Sequence, residues 1–361
     1  NSGGENNNGT ILTITGAFFG TNGVGCGSTT TVTIGGNAPA AYIGTCPASH
    51  LSPTAISAWQ QKISVAVGSG VTGTSQAIVV TVSGVASTCW NKDGCTFSAN
   101  AGNIYRVATT GNDTTGDGSW ANPWASIKKA MATAGSGGII YASDGVTTYA
   151  CDTDSTACFN SNLITGTSSA GTATLPKAVI GYPGATVTIG SNDITNTRRP
   201  GLVSHQYWTF ANLTFHALYA SWGLHEPFTN ARVVGNTFTN PNFTAGSGIL
   251  TVADRDSVKL LGNLLTGNAP VTAPNQSHTI YINTGSTDVE TGWNWSHDNN
   301  TCRDVQMFSE GGPNMYNVWT HDNLIHDVPC QAILDSYPNP AAGPVQIWNN
   351  VIFRAAQVSN D

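Results

Sequence analysis

Between residues 207 and 352, short runs of alternating apolar and polar residues close repeatedly on an asparagine. The runs are YWTFANLTF, ARVVGNTF, VKLLGNLL, NWSHDNNT, VWTHDNLI and VQIWNNVI, and they carry Asn212, Asn236, Asn263, Asn299, Asn323 and Asn350. Alternation with period two marks a strand with one buried face. Separations of 24, 27, 36, 24 and 27 residues between these asparagines give the period of stacked solenoid coils. Asn tolerates the left-handed backbone region better than other non-glycine residues, so each is expected to mark a sharp bend between two strands. Stacked coils then form long parallel sheets.

Residues 1–99 have a different texture. LTITGAFFG, TVTIGG, KISVAVGSG and AIVVTVSGVAS are short, β-branched and closed by glycines, which predicts an antiparallel sandwich of about seven strands. Their order, with a Trp before KISVAV and a final TFS, resembles the IPT/TIG immunoglobulin-like domain over residues 8–98; the cysteine loops at 26–46 and 89–95 depart from it. The resemblance implies a spacer or interaction module and brings no catalytic residue.

From Asn103 to Tyr149 the sequence reads as a strand (104–108), a Gly/Asp turn cluster, and Trp120, Pro123 and Trp124 ahead of Ile127, Ala130 and Met131 at the spacing of a short amphipathic helix. Such a helix can cover the first coil of a solenoid. With its G-x-D-x-x-G-x-G, N-P-W and S-I-x-x-A elements, the segment resembles the N-terminal cap of secreted right-handed parallel β-helix proteins of the pectate-lyase-like superfamily. The expected architecture is all-β: an Ig-like sandwich over 1–99, then over 100–361 a right-handed parallel β-helix of eight to ten coils, about 25 residues each, with a short N-terminal capping helix. NNVIFRAAQVSND stops inside the coil pattern, so the expectation there is a truncated chain or a cap from another chain.

Composition narrows the partners. Charged residues are 9% of the chain, the net charge is -7 and Lys plus Arg number 13, which excludes nucleic acid as a partner. No apolar stretch is long enough to span a membrane. Eight cysteines fall into local pairs, Cys26 with Cys46, Cys89 with Cys95, Cys151 with Cys158 and Cys302 with Cys330, favouring disulfides and a secreted or cell-surface location over a zinc site. Sequons stand at Asn8, Asn112, Asn212, Asn242, Asn275, Asn294 and Asn299.

Aligning coils on the recurrent Asn puts Trp208, Arg232, Lys259, Trp295, Trp319 and Gln346 on one expected outward row, and Phe210, Val234, Leu261, His297, His321 and Trp348 on another. Trp faces and cationic donors suit a sugar chain, which makes Trp208, Trp295, Trp319, Tyr281, His297 and His321 the candidate carbohydrate contacts. The next strand presents His225, Leu250, Tyr281, Gln306 and Leu334, with Glu226, Asp254, Asp256, Glu310 and Asp335 at strand ends. Paired carboxylates bind calcium or act as acid and base in glycoside hydrolysis, and a lyase needs a base such as Lys or Arg. The catalytic candidates are therefore Lys259, Arg232, Glu310 and Asp335, and Glu226, Asp254 and Asp256 are candidate calcium ligands. No complete lyase or hydrolase motif maps onto the chain, and a given Asp or Glu is more often structural.

Two functions follow. One is an extracellular carbohydrate-recognising protein, a polysaccharide lyase or glycoside hydrolase if it is catalytic. The other is a non-catalytic subunit of a surface layer, fibre or adhesin that assembles with copies of itself.

Overall fold

The computed structural model describes residues 3–16, 18–19, 30–43, 61–89, 94–143, 145–148, 169–190, 206–216, 229–239, 248–268, 277–309, 315–336, 338–339 and 341–356. In the N-terminal region, strands Ile11–Gly16, Gln61–Ala66 and Ala41–Tyr42 form one antiparallel sheet. Thr30–Ile34, Gln76–Val82 and Val85–Ala86 form a second, and Thr96–Phe97 adds to its central strand. Alternation supplies a shared core of Val32, Ile34, Ile63, Val65, Val67, Val71 and Val80 between the sheets, leaving Lys62 and Ser64 to face away. This is the expected small β-sandwich.

The rest of the described chain is a right-handed parallel β-helix. Its first wall has nine strands, Ile104–Val107, Ile139–Ala142, Lys177–Gly181, Trp208–Ala211, Arg232–Val234, Lys259–Leu261, Thr287–Gly292, Tyr316–His321 and Val345–Trp348. The second wall has eight, from Thr147–Thr148 to Val351–Phe353, most only three residues long. A third wall of four strands, Gly248–Val252, His278–Asn283, Arg303–Phe308 and Gln331–Ser336, completes the later coils. Successive coils pair in parallel register, so Phe210, Val233 and Leu260 stack inside one wall and Phe215, Phe238 and Leu265 inside the next.

The corner between the first and second walls corrects the expected role of the asparagines. The left-handed residue is the one before the recurrent position: Asn212, Gly235, Gly262, Trp293, Asp322 and Asn349, with φ of 51–65°. The next residue turns inward, and there Asn236, Asn263, Asn294, Asn323 and Asn350 form a continuous ladder. The Asn263 Nδ2 donates to Val233 O at 3.0 Å and to Asn294 Oδ1 at 3.0 Å, while its Oδ1 accepts from the backbone N of Asn236 at 3.0 Å. The same pattern repeats at Asn294 and Asn323. The amide thus satisfies backbone groups that the corner takes out of the sheets. Asn212 belongs to the left-handed row, and Leu213 fills its ladder place, donating its N–H to Asn236 Oδ1 at 3.0 Å. Asn299 belongs to a second ladder at the following corner, where Asn268 Nδ2 donates to its Oδ1 at 2.8 Å.

The first coil is closed by the expected helix, Ile127–Thr133, which buries Ile127, Ala130 and Met131 and is N-capped by Ser126 accepting from Lys129 N. Its C-terminal end receives the buried Lys177 ammonium, which donates to Ala134 O at 2.7 Å and to Ser169 Oγ at 2.7 Å. A cation is favoured at that end of the helix dipole. The sandwich docks along the same solenoid. Ile11 N donates to Tyr141 Oη at 2.8 Å, Asn212 Nδ2 donates to Thr13 Oγ1 at 3.4 Å, and Lys62 Nζ donates to Gly235 O at 3.1 Å and Asn212 Oδ1 at 3.3 Å.

Disulfides Cys89–Cys95 and Cys302–Cys330 join two of the expected pairs. Cys26, Cys46, Cys151 and Cys158 lie outside the described residues. No helix among the described residues is long and apolar enough to cross a membrane.

Candidate functional site

The outward row of the first wall, read by register, is Thr209, Arg232, Lys259, Glu290, Trp319 and Gln346. Beside it run Ala211, Val234, Leu261, Gly292, His321 and Trp348. Arg232, Lys259, Trp319 and His321 therefore share one face, as their spacing predicts.

Glu290 is the centre of this face. Lys259 Nζ donates to its Oε2 at 3.0 Å, and the His321 ring meets its Oε1 through Nε2 at 3.2 Å. On its other side, His321 Nδ1 lies 2.8 Å from Asp322 Oδ2, and Asn349 Nδ2 donates to Asp322 Oδ1 at 3.0 Å. The His321 ring thus bridges the Glu290 and Asp322 carboxylates, with one ring nitrogen on each. Gly292 makes this possible, since a Cβ there would lie 2.7 Å from His321 Cε1. Trp348 stacks on the ring at 4.4 Å and Trp293 meets it edge-on at 4.7 Å.

Burial raises the Glu290 pKa, but hydrogen bonds from His321 and Lys259 and their charges outweigh it and hold the carboxyl at about 2. Glu290 is thus a fixed anion, unsuited to donate a proton near neutrality. Arg232 keeps an exposed side chain, yet the protein around it lowers its guanidinium pKa by desolvation, opposed by the Glu290 charge.

The remaining candidates are dispersed. Trp208 lies inside the coil, fully buried and 6.0 Å from Phe210, because Asn212 stands one position before the ladder and shifts the alignment. Trp295 and His297 sit on the second wall, where Trp295 Nε1 donates to His326 Nε2 at 3.0 Å. An indole N–H only donates, so His326 carries its proton on Nδ1 and donates it to Asp327 Oδ2 at 2.6 Å. His297, His326 and Phe353 stack in parallel on consecutive coils. Tyr281 and Gln306 share the outward row of the third wall with Thr251 and Leu334. Beside that row, Arg303 donates to Gln306 Oε1 at 3.0 Å and Gln331 Oε1 at 3.1 Å.

Asp335 is on the third wall, away from Lys259 and Arg232, with its carboxyl raised by desolvation. Asp256 accepts from Thr287 Oγ1 at 2.9 Å, and Asp254 occupies a left-handed corner with φ 52°. Glu226, His225 and Glu310 lie outside the described residues, and among the described residues no three His, Cys, Asp or Glu are grouped to hold a metal ion. The alignment on Asn299 hid Glu290; aligning on Asn294, 31 residues after Asn263 and 29 before Asn323, puts it in the row.

No protein-family model and no curated protein matches the sequence. Among solved structures, a rhamnogalacturonan lyase is similar over 65% of this chain and 73% of its own, with 11% identity and a TM-score of 0.47. A GH136 lacto-N-biosidase from Eubacterium ramulus is similar over 65% of this chain and 43% of its own, at 13% identity and TM-score 0.34. A pectate lyase, Pel9A, is similar over 73% and 82%, at 13% identity and TM-score 0.27. Likeness this distant says nothing about chemistry; the β-helix rests on the strand pairing of this chain itself.

Proposed function

We propose that this chain is an exported carbohydrate-recognising protein that lays an extended glycan along the outward face of the first wall. One observation carries the reading: Arg232, Lys259 with Glu290, Trp319 and Gln346 stand in register on consecutive coils. Parallel strands repeat at roughly 4.8 Å, so the row offers a cation, an ion pair, an aromatic surface and an amide at regular intervals to a linear, hydroxyl-rich polymer. Two disulfides suit an oxidising compartment. Because Glu290 is a fixed anion already paired to Lys259, the reading is recognition, and no proton transfer is assigned to this row.

The test is affinity electrophoresis of the whole protein through a panel of neutral and acidic polysaccharides, with Arg232→Ala and Trp319→Ala beside it. Retention by at least one glycan, reduced about tenfold or more in each variant, is expected. Equal retention of both variants, or none by any glycan, overturns it. Release of reducing or unsaturated sugar ends in the same samples, with Asp335→Asn and Glu310→Gln as controls, decides whether the bound glycan is also cleaved.

Self-association is favoured by a separate observation. Ile347, Trp348, Val351 and Ile352 on the last described coil are 40–46% exposed, and such an apolar surface favours contact with a second copy. Light scattering of the intact protein separates the cases: a stable oligomer supports this reading, and a monodisperse monomer removes it.

A further inference from the structure

The interior of the β-helix changes chemistry at one level. In the first wall the inward stack Phe210, Val233, Leu260 gives way to Thr291 and Thr320. In the second wall Phe215, Phe238 and Leu265 are followed by Ser296, before Ile325 restores an apolar residue. The third side adds Thr279, Thr301 and Asp304, and all these polar residues are at most 1% exposed. An apolar core thus encloses a polar chamber holding one carboxyl group.

Hydrogen bonds inside the chamber are incomplete. Ser296 Oγ donates to Asp304 Oδ1 at 2.6 Å and accepts from Asn299 Nδ2 at 2.8 Å. Thr279 and Thr301 hydroxyls meet at 2.6 Å, and Thr320 Oγ1 donates to Met307 Sδ at 3.5 Å. Two fully buried oxygens have no hydrogen-bond partner, Asp304 Oδ2 and Thr291 Oγ1. They flank the three-residue strand Trp295–His297, Thr291 just before the corner that enters it and Asp304 just after the corner that leaves it. No cationic side chain forms an ion pair with Asp304 among the described residues.

A buried carboxylate needs a paired charge or a metal, or it must stay protonated. The ligands here are a carboxylate and hydroxyl oxygens, a hard set that suits alkali and alkaline-earth cations over zinc or copper. With one carboxylate in the chamber, a single positive charge balances it. We infer that this chamber is a monovalent-cation site in which Asp304 Oδ2 and Thr291 Oγ1 take a sodium- or potassium-sized ion. The ion supplies the missing partner for both oxygens and ties the first wall to the third across the lumen.

The test is calorimetric melting of the whole protein at pH 8 in sodium, potassium, calcium and choline chlorides at matched ionic strength. At pH 8 the Tm is expected to stand several degrees higher in sodium or potassium than in choline and to rise with the logarithm of ion concentration. Asp304→Asn abolishes the difference while Thr291→Val, which keeps the charge, diminishes it. Wild-type crystals grown with rubidium are expected to show anomalous density beside Asp304. Equal Tm in choline and the alkali salts at pH 8, an ion response that survives in Asp304→Asn, or a response to calcium alone each overturns the assignment. The chamber then holds a water or a protonated carboxyl. None of these outcomes depends on what the outer face binds.

Discussion

Glu290 is 1% exposed, and burial alone would push its carboxyl up. The folded protein does the opposite because the Lys259 ammonium and His321 ring reach it from the coils on either side. A native pKa of about 2 against an ordinary 4.5 means that the unfolded chain binds a proton there more readily than the folded one. The stability so gained is fully present above pH 4.5 and is lost as pH falls through 2, with a size of about 3 kcal/mol. Glu290→Gln should therefore lower unfolding free energy by an amount of that order at pH 7, and the deficit should shrink steadily between pH 4.5 and 2. Urea titrations of both proteins at pH 7, 4 and 2.5 check it. A pH-independent deficit would mean that the loss is one of packing and not of charge.

At the scale of elements, the asparagine ladder makes the corner rigid. Asn263 offers one amide to Val233 O, Asn294 Oδ1 and the backbone N–H of Asn236. Asn263→Ala strips partners from several buried groups at once, each worth about 1–3 kcal/mol when orphaned, so a loss of roughly 3–5 kcal/mol is expected. Asn350→Ala, at the half-buried end of the ladder, should cost about 1–2 kcal/mol. Equal losses at the two sites would show that the ladder is not cooperative along its length. Cys302–Cys330 staples successive coils where the third wall begins, and its 28-residue separation gives a loop-closure contribution of about 3–4 kcal/mol. Melting of Cys302→Ser/Cys330→Ser against the parent measures it.

These elements were unequally legible in the sequence. Period-two runs and their return every coil announced the parallel walls, and the amphipathic turn at Ile127, Ala130 and Met131 announced the capping helix, because each is a local pattern. The register was harder to read. Asparagine serves as a left-handed corner residue at 212, a ladder residue at 236 and a second-ladder residue at 299. The second wall is too short for its own alternation to distinguish these roles. Alignment on the recurrent Asn therefore puts Trp208 outside where the structure has it inside, and leaves Glu290 out of the row, while Arg232, Lys259, Trp319 and His321 keep their shared face because their coils carry the ladder Asn. Asp304 left no local trace, since only the closed lumen makes it inward-facing.

At the scale of the whole molecule, the sandwich does not hang from the β-helix by a linker. Strand Ile11–Gly16 crosses several coils, with Ile11 at Tyr141, Thr13 at Asn212 and Thr15 Cγ2 3.7 Å from where a Cβ on Gly262 would stand. Ile11, Ile104 and Tyr141 form a shared apolar cluster with Trp120 and Tyr182 at its margin. The Tyr141 hydroxyl both accepts from Ile11 N and donates to Ile11 O at 3.1 Å, closing the edge of the sandwich as a neighbouring strand would. Two units joined through such a surface melt together when their coupling exceeds the difference in their own stabilities. A single calorimetric transition is thus expected for the parent. Tyr141→Phe with Lys62→Met removes four hydrogen bonds across the surface and leaves both cores intact, so it should split the transition in two while circular dichroism at low temperature stays unchanged. A parent that already shows two transitions would mean that the contact carries little free energy, and the sandwich would then act as a tethered module free to reorient about the first wall.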